Sequence, residues 1–457
     1  MQPLTRSGQG GTPRSPGPWR RLLQALRGRL GGILLHQAKW LTVGYGLSMA
    51  AVPVVSRLAG PAEVGAWLFV ASCISILVPM SNLRLDVALL GDEREEDVRA
   101  TARAGLVALL LTGVAGCALT AALLLLAQAQ QVAHLEAFDA ISAPAGSAAV
   151  GIGIVLSGGT QLAAAVSTRY RDYRTQVVSR AVQLGLAPLL QIALVWGGLG
   201  GFGLILGDLA GRLAGILYFV AMEPEVRAVL GGGGMLRAFR DNLRARGRFP
   251  WTASTASLWN SICVQFPIVA VTLLFGTQQS GMFGMAWRLL SLPQSVVGAS
   301  VGQLILGETA HVVRAQQSAR LVKIYRGALA FAVAGTVLGI LAGPAFGALA
   351  VAVLGAAWEA ARFHVAVLLP SALAQLVIAP ASSALNLLGG DRAQLSLDSG
   401  RLFGYGILVV VALRGMPVTS FSAAVSVIQT AFYLVTGVVL LRACGRMPGA
   451  PTGLTQG

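Results

Sequence analysis

Residues 57–81 read RLAGPAEVGAWLFVASCISILVPMS, and residues 280–303 read SGMFGMAWRLLSLPQSVVGASVGQ. Each stretch begins near a glycine and continues into an apolar run of roughly 20 residues, the length that an α-helix needs to cross a bilayer. Each run also carries an internal proline, Pro79 in the first and Pro293 in the second. The two stretches therefore predict membrane-spanning helices of similar design.

The rest of the chain has the same apolar character. Of the 457 residues, 55% are hydrophobic and 11% are charged, against roughly 25% charged residues in soluble domains. A soluble protein with so few charges could not cover its surface. The four cysteines show no CxxC spacing, which favours small buried hydrophobic residues over a disulfide, a metal site or a cofactor site. The composition predicts an all-α polytopic membrane protein.

Twelve apolar runs are candidates for membrane spans. They lie near residues 31–57, 63–90, 104–127, 141–167, 177–196, 202–221, 251–275, 281–306, 324–342, 361–388, 402–413 and 419–441. The eleventh run is short.

The basic residues predict the orientation of these spans. With the N-terminus in the cytoplasm, 27 of the 34 Lys and Arg residues fall in cytoplasmic segments. Arg57, Arg362 and Arg414 fall on the opposite side, and the remaining four lie inside spans. This asymmetry follows the positive-inside rule and predicts cytoplasmic termini. It also accounts for the net charge of +16 without a nucleic-acid partner.

The longest hydrophilic stretch between spans divides the chain into two groups of six helices. The predicted segments are a disordered and amphipathic N-terminus (1–30), a first bundle (31–222), a basic linker (223–250), a second bundle (251–443) and a tail (444–457).

The two bundles carry a short repeated pattern. Gly60-PAEV-Gly65 precedes the second span and Gly276-TQQS-Gly281 precedes the eighth, at an offset of 216 residues. Because six is even, the two halves share one orientation and form parallel repeats. We therefore expect two six-helix bundles around a central cavity lined by spans 1, 2, 7 and 8.

Four stretches resemble the polysaccharide-repeat-unit flippases of the multidrug/oligosaccharidyl-lipid/polysaccharide exporter superfamily. They are residues 57–77 with LRLDVALL at 83–90, FPWTASTASLWNSICVQFPIVAVTLLFG at 249–276, the run at 280–303, and VLGAAWEAARFHVAVLLPSALAQLVIAPASSALNLLG at 353–389. The resemblance implies export of an oligosaccharide linked to undecaprenyl pyrophosphate across a bacterial inner membrane. It also implies a monomer that works with membrane lipid and with polysaccharide polymerase and chain-length machinery.

The chain departs from the family pattern at two places. Leu85 and Asp86 follow Arg84, where the family usually has an aromatic residue and then glutamate. The sixth span carries Gly207-Asp208-LA-Gly211-Arg212 in place of a Gly/Gln-rich pattern. These differences bear on the substrate and on ion coupling more than on the fold.

Three basic residues within spans are candidates for substrate binding. Lys39 lies in the first span, whereas Arg84 and Arg288 match arginines of the family in the second and eighth spans. An intramembrane charge costs at least about 2.5–3.5 kcal/mol, so each one requires a partner or a role. A pyrophosphate headgroup would supply the partner. Structural ion pairs or side chains that reach the interface are the alternative explanation.

Two acidic residues are candidates for ion coupling. Asp86 follows Arg84 but is not on the same helical face, and Asp208 stands four residues before Arg212. An intrahelical Asp208–Arg212 ion pair is the simpler interpretation of the second residue.

Two other function classes stay open. A small-molecule cation exporter of the same superfamily would need an acidic cavity, which the three intramembrane cations disfavour. A membrane-embedded glycan polymerase or ligase would need a large exoplasmic loop with catalytic residues. The longest candidates, 128–140 and 343–360, are mostly apolar or weakly acidic and hold no arginine. The sequence predicts no enzyme.

Overall fold

The computed structural model describes residues 29–129, 143–231, 233–314, 318–382, 384–388 and 391–445, and this part of the chain forms helices and turns without a strand. In chain order the α-helices are α1 (Arg29–Leu58), α2 (Pro61–Leu77), α3 (Leu85–Ala88), α4 (Glu95–Ala129), α5 (Ala143–Arg169), α6 (Tyr173–Leu194), α7 (Gly200–Met222), α8 (Pro224–Leu230), α9 (Met235–Arg246), α10 (Phe249–Arg314), α11 (Ser318–Leu354), α12 (Ala361–Ser382), α13 (Ala384–Leu387), α14 (Asp391–Ala412) and α15 (Val418–Gly445). The predicted N-terminal amphipathic helix and most of the tail lie outside the described residues.

Ten described segments are long and apolar enough to cross a membrane. Two of them, Tyr173–Met222 and Phe249–Gln294, hold 50 and 46 residues, enough for two crossings each. Glycines with positive φ break both in the middle, Gly198 (87°) and Gly200 (49°) in the first and Gly276 (85°) in the second. Only glycine adopts such angles without strain. Each segment therefore contains two spans, and the prediction of about twelve spans is confirmed.

The α6–α7 hairpin is packed through a row of glycines on α7. A Cβ built on Gly207 would lie 2.6 Å from the backbone nitrogen of Gln191, and one built on Gly211 would lie 2.5 Å from the Cβ of Ala187. Small residues at every fourth position let two membrane helices approach closely, which is the main source of their association in lipid. The same hairpin carries the predicted Asp208 and Arg212.

Three predicted spans have different limits in the structure. The span predicted at 63–90 ends as an α-helix at Leu77, because a 3₁₀ turn forms at Pro79, which cannot donate a backbone hydrogen bond. Helix α11 continues to Leu354, so most of the predicted loop 343–360 is helical. Helix α14 begins at Asp391, well before the predicted start at 402.

The earlier start of α14 is explained by a buried ion pair. Arg401, which the sequence analysis placed in a loop, lies inside the helix, 3.1 Å from the carboxylate of Asp398. The guanidinium also packs on the ring of Phe432, 4.1 Å from its centroid. The two charges stand three residues apart and offset each other, so the apolar helix can contain them.

The turns between spans gather at two ends of the molecule. At the arginine-rich end, Arg246 binds the carboxylate of Asp92 at 2.7 Å, and Arg169 donates to the backbone carbonyl of Asp92 at 3.0 Å. Tyr170 donates to Glu95, and burial together with this contact raises the pKa of Tyr170 to about 12. The loops around residues 92, 170 and 246 therefore share one end, as their alternation predicts.

The opposite, arginine-poor end joins the two halves of the chain. The Ser56 hydroxyl donates to the backbone carbonyl of Leu354 at 3.0 Å, and the Trp358 indole donates to the carbonyl of Ser56 at 2.8 Å. Ser56 belongs to α1, whereas Leu354 and Trp358 flank the turn between α11 and α12. Helix α1 lies in the first half of the chain, and α11 and α12 lie in the second. These hydrogen bonds therefore join the two halves and close the molecule at this end.

The repeated glycine patterns are in direct contact at the same end. A Cβ built on Gly65 would lie 1.9 Å from the carbonyl oxygen of Thr277, and one built on Gly281 would lie 1.8 Å from the carbonyl oxygen of Pro61. Pro61 and Thr277 are themselves related by the 216-residue offset. The contact is thus reciprocal, as two parallel repeats around a local two-fold axis require. Each glycine allows the backbone of the other half to approach.

Candidate functional site

A cavity lies beside this contact between the repeats. Its volume is about 520 Å³, within the range of ligand-binding pockets. Its walls come from α2, from both arms of α10 (residues 249–275 and 277–314) and from α12. The lining residues are Leu68, Ala71, Ser72 and Ser75; Val264, Gln265 and Ile268; Gly284, Trp287, Arg288, Leu290, Ser291 and Gln294; and Leu368, Ser371, Ala372, Gln375, Leu376, Ala379 and Pro380.

The repeat register extends into the cavity wall. The four α2 positions that line the cavity are 68, 71, 72 and 75, and addition of 216 gives 284, 287, 288 and 291, all of which line it as well. The chain positions that form this wall are therefore repeated in the two halves, whereas the charged side chain is present in only one half. Ser72 of the first half corresponds to Arg288 of the second.

Arg288 is the one charged side chain among the described lining residues. Its guanidinium carbon lies 4.5 Å from the centroid of the Trp67 ring, which comes from the other half of the chain. Within the described residues no carboxylate is at ion-pair distance from Arg288, and Asp208 is instead paired with Arg212. A guanidinium held by an aromatic ring keeps its five N–H donors available for an anion.

The remaining polar groups of the wall are uncharged. Gln294 donates from its amide to the backbone carbonyl of Ala372 at 3.1 Å, and the Ser371 hydroxyl donates to the carbonyl of Leu368 at 2.8 Å. The Gln294 contact fixes the second arm of α10 against α12 on one side of the cavity, whereas the Ser371 contact lies within α12. Amides and hydroxyls of this kind both donate and accept hydrogen bonds.

The cavity differs in one wall from the expected one. Spans 2, 7 and 8 line it as predicted, but α12, the tenth span, stands where the first span was expected. Residues of α1, including Ser48 and Val52, line a much smaller void together with Trp67 and Arg288. The described cavity therefore lies mainly within the second half, with α2 as its only wall from the first half.

Two of the predicted substrate-binding residues lie elsewhere. Lys39 is exposed on the N-terminal part of α1. Arg84 is half-buried in the turn that follows α2, where both Leu83 (φ 49°) and Arg84 (φ 56°) adopt left-handed backbone angles. Neither side chain is among the described residues of the cavity wall. The structure brings Arg288 alone of the three into the cavity.

The two acidic candidates have structural partners. Asp208 forms the expected intrahelical ion pair, with 2.9 Å between its carboxylate and Nε of Arg212. Asp86 is buried and accepts a hydrogen bond from the Gln161 amide at 2.9 Å. Arg212 also donates to Ser157 of α5, so the ion pair ties α7 to α5. Ion coupling through either carboxylate stays a prediction.

Sequence reasoning missed most of the cavity wall. The 216-residue offset, applied to Arg288, would have found Ser72, and the amides of Gln265, Gln294 and Gln375 interrupt apolar runs as buried functional polar groups do. Trp67 carried no such signal. Its role depends on the packing of α2 against α10, which no local pattern contains.

These features define a class of protein before any comparison: a multi-pass helical membrane protein with two parallel repeats that enclose a polar cavity, as in transporters with alternating access. The chain belongs to the polysaccharide biosynthesis protein family, whose model matches residues 54–362. No protein with a curated description matches the chain.

Solved structures with the same fold are transporters and flippases. The inward closed conformation of the lipid II flippase MurJ has 12% identity and a TM-score of 0.63, covering 90% of this chain and 89% of that one. An inward-facing multidrug resistance MATE family transporter of the MOP superfamily has 16% identity and a TM-score of 0.60, covering 88% and 93%. A MOP superfamily transporter from Pyrococcus furiosus has 15% identity and a TM-score of 0.51, covering 93% and 99%. At such identities these likenesses establish the fold.

Proposed function

We propose that the protein flips a lipid-linked oligosaccharide, carried on undecaprenyl pyrophosphate, from the cytoplasmic to the periplasmic leaflet of a bacterial inner membrane. The transport serves cell-surface polysaccharide synthesis and proceeds by alternating access between the two halves. The family supports a role in polysaccharide biosynthesis, and the fold supports a flippase-type transporter. The observation that carries the proposal is Arg288, a cation without an ion-pair partner among the described residues, in a cavity of neutral polar groups.

A pyrophosphate accounts for this arrangement. Moving the headgroup through the membrane removes water from its charged oxygens, and a guanidinium replaces that water with two parallel, charge-assisted hydrogen bonds. Trp67 holds the guanidinium from one side and leaves the cavity side for the ligand. Lys39 and Arg84, which lie toward the arginine-rich end, are proposed to contact the pyrophosphate before it enters the cavity.

The competing transporter class makes the opposite demand on the cavity. An exporter of small organic cations requires acidic side chains where its substrate binds, and the described lining residues include Arg288 and no acidic residue. The observation therefore favours an anionic headgroup as cargo.

Deletion of the gene tests the proposal directly. We expect lipid extracts of the deletion strain to accumulate a lipid-linked oligosaccharide on the cytoplasmic side and surface polysaccharide to be lost. Restoration by Arg288→Ala should fail at matched protein level, and Arg288→Lys should restore export poorly, because a point charge cannot reproduce the planar fork.

The matched control is Arg414→Ala, which removes an exposed arginine at the arginine-poor end. It should export as the unsubstituted protein does. Full export by Arg288→Ala would remove Arg288 from the transport pathway, and a deletion strain without accumulated lipid-linked oligosaccharide would contradict the proposed substrate.

A further inference from the structure

The described wall of the cavity combines uncharged hydrogen-bonding side chains with a single cation, Arg288. Apart from Arg288, its described polar side chains are serines and glutamines, namely Ser72, Ser75, Gln265, Ser291, Gln294, Ser371 and Gln375. Glutamine amides act both as donors and as acceptors, whereas the hydroxyls of Ser75, Ser291 and Ser371 donate to backbone carbonyls of their own helices and offer their oxygens as acceptors. Sugar hydroxyls and N-acetyl groups have the same double capacity, so this wall matches uncharged carbohydrate.

The single cation of the wall is committed to the lipid headgroup if the proposed function is correct. Arg212 cannot serve as a second one, because its guanidinium binds Asp208 at 2.9 Å and also donates to Ser157. Arg401 is likewise paired with Asp398. A glycan carboxylate inside the cavity would therefore meet no available cation among the described residues that line it.

The apolar part of the wall makes this mismatch costly. Leu68 from α2 and Leu368 and Leu376 from α12 face the same space as the serines and glutamines. A sugar hydroxyl tolerates such neighbours if one hydrogen bond is kept, whereas an ionised carboxylate loses hydration that only a cation can replace.

We infer that the sugars next to the pyrophosphate are uncharged, and that the protein discriminates against glycans with a uronic acid or another acidic sugar at this place. The inference rests on the proposed function and specifies the glycan that the same cavity accepts. Its structural basis is the contrast at one pair of repeat-related positions, with Arg288 in the second half and Ser72 in the first.

Two carrier lipids that differ by one carboxylate test the inference. Both are undecaprenyl diphosphates with N-acetylglucosamine as the first sugar; the second sugar is glucose in one and glucuronic acid in the other. Binding to the full-length protein in phosphatidylcholine nanodiscs is followed by tryptophan fluorescence, to which Trp67 and Trp287 beside the cavity contribute. We expect the acidic lipid to bind about tenfold or more weakly. Equal or tighter binding of the acidic lipid overturns the inference.

A substitution at the repeat-related position tests the cause. Ser72→Arg supplies the second cation and should bring the two affinities together, mainly through tighter binding of the acidic lipid. Ser75→Arg, one helical turn further along α2, is the second variant in case the buried Ser72 position does not accept arginine. If both variants bind the neutral lipid normally and leave the affinity ratio unchanged, wall charge does not set the selectivity and the inference is wrong.

Arg288→Gln separates this inference from the proposed function. It should weaken both lipids by a similar factor, because it removes the contact with the pyrophosphate that they share. If neither lipid binds the unsubstituted protein, the proposed function fails and the inference with it. If both bind equally and both depend on Arg288, the proposed function stands and the inference alone fails.

Discussion

Two buried arginines show how a charge inside a membrane helix can have different roles. Arg401 has its carboxylate partner, Asp398, on the same helix at 3.1 Å. Arg288 has an aromatic ring and a cavity, with no carboxylate at ion-pair distance in the described structure. Arg401 thus has its anionic partner within the protein. Arg288 acquires an anionic partner only when a ligand binds, which is why Arg288 carries the proposed function.

We expect Arg401 and Arg288 to respond differently to substitution. Arg401→Met leaves the buried Asp398 carboxylate without a cation and should destabilise the protein by about 3–5 kcal/mol. Asp398→Leu combined with Arg401→Met removes both charges and should recover most of that loss. Thermal unfolding in detergent and protein level in membranes are the measurements.

Arg288→Ala is the comparison in the same assay. It should leave stability nearly unchanged while export is lost, because Arg288 has no buried acidic partner to strand. An Arg401→Met variant as stable as the unsubstituted protein would show that the Asp398–Arg401 pair contributes nothing to the fold.

Sequence alone found Arg288 but misplaced Arg401. Both are arginines close to apolar runs, and the run near Arg401 begins only at residue 402, so hydropathy predicts a loop at residue 401. The spacing of Asp398 and Arg401, three residues apart, is the local sign that they could pair within a helix. Burial of Asp398 and Arg401 against neighbouring helices decides the matter, and burial is a tertiary property.

At the scale of helices, the contact between α2 and the second arm of α10 joins the two halves at the arginine-poor end. Gly65 and Gly281 meet backbone carbonyls of the opposite half so closely that a methyl group at either position would displace the neighbouring helix. The atoms in the way belong to backbone, which cannot rotate aside as a side chain can. Glycine at both positions is therefore a condition for closing this end.

We expect Gly65→Ala and Gly281→Ala to hold the arginine-poor end open and to reduce export. Ala71→Cys, placed in the cavity wall, should react with a membrane-impermeant thiol reagent in intact cells when either glycine is substituted. It should be protected when both glycines are present. Reagent labelling and glycan export in the same strains are the measurements.

The controls are glycines with free space around them. Gly46 and Gly406 lie inside α1 and α14, and a Cβ at either position meets nothing within 4 Å. Gly46→Ala and Gly406→Ala should leave both labelling and export unchanged. Normal export by Gly65→Ala and Gly281→Ala, with Ala71→Cys still protected, would show that this contact does not govern closure.

The break after α2 shows why helix limits were harder to predict than helices. Apolar residues continue through 63–90, so the sequence predicted one uninterrupted span. The turn at residues 81–84 is held from outside: Asn82 donates to the carbonyl of Gly158 at 3.0 Å, and Thr112 donates to the carbonyl of Ser81 at 3.1 Å. These partners on α5 and α4 are distant in sequence, and hydropathy does not register them.

At the scale of the whole molecule, hydropathy and charge were sufficient for the architecture and not for the cavity. The alternation of arginine-rich and arginine-poor loops needs only the count of spans. In the described structure the loops around residues 92, 170 and 246 share one end, and those around 61, 277 and 355 share the other. The identity of the cavity walls depends on which helices pack together. For that reason α12 was missed, although the repeat correctly joined α2 to the second arm of α10.

The direction of transport depends on which end faces the cytoplasm. Contacts between the halves close the arginine-poor end, through Ser56 with Trp358 and through Gly65 with Gly281. If the positive-inside rule holds, this closed end faces the periplasm and the structure is a state that receives substrate from the inner leaflet. The predicted cytoplasmic loops are 91–103, 168–176 and 307–323.

Single cysteines at the two ends measure that orientation. Glu96→Cys is exposed at the arginine-rich end and should react with an impermeant thiol reagent only after the cells are permeabilised. Ala360→Cys is exposed at the arginine-poor end and should react in intact cells. Three of the four native cysteines are buried, so the protein without added cysteines gives the background, to which half-buried Cys117 contributes most. Labelling of Glu96→Cys alone in intact cells would show that the topology is the reverse of the predicted one. The arginine-poor end would then face the cytoplasm. The state in which that end is closed would load substrate from outside the cell, against the proposed direction of export. Labelling of both from one side would contradict the separation of the two ends, and with it the count of spans between residues 96 and 360.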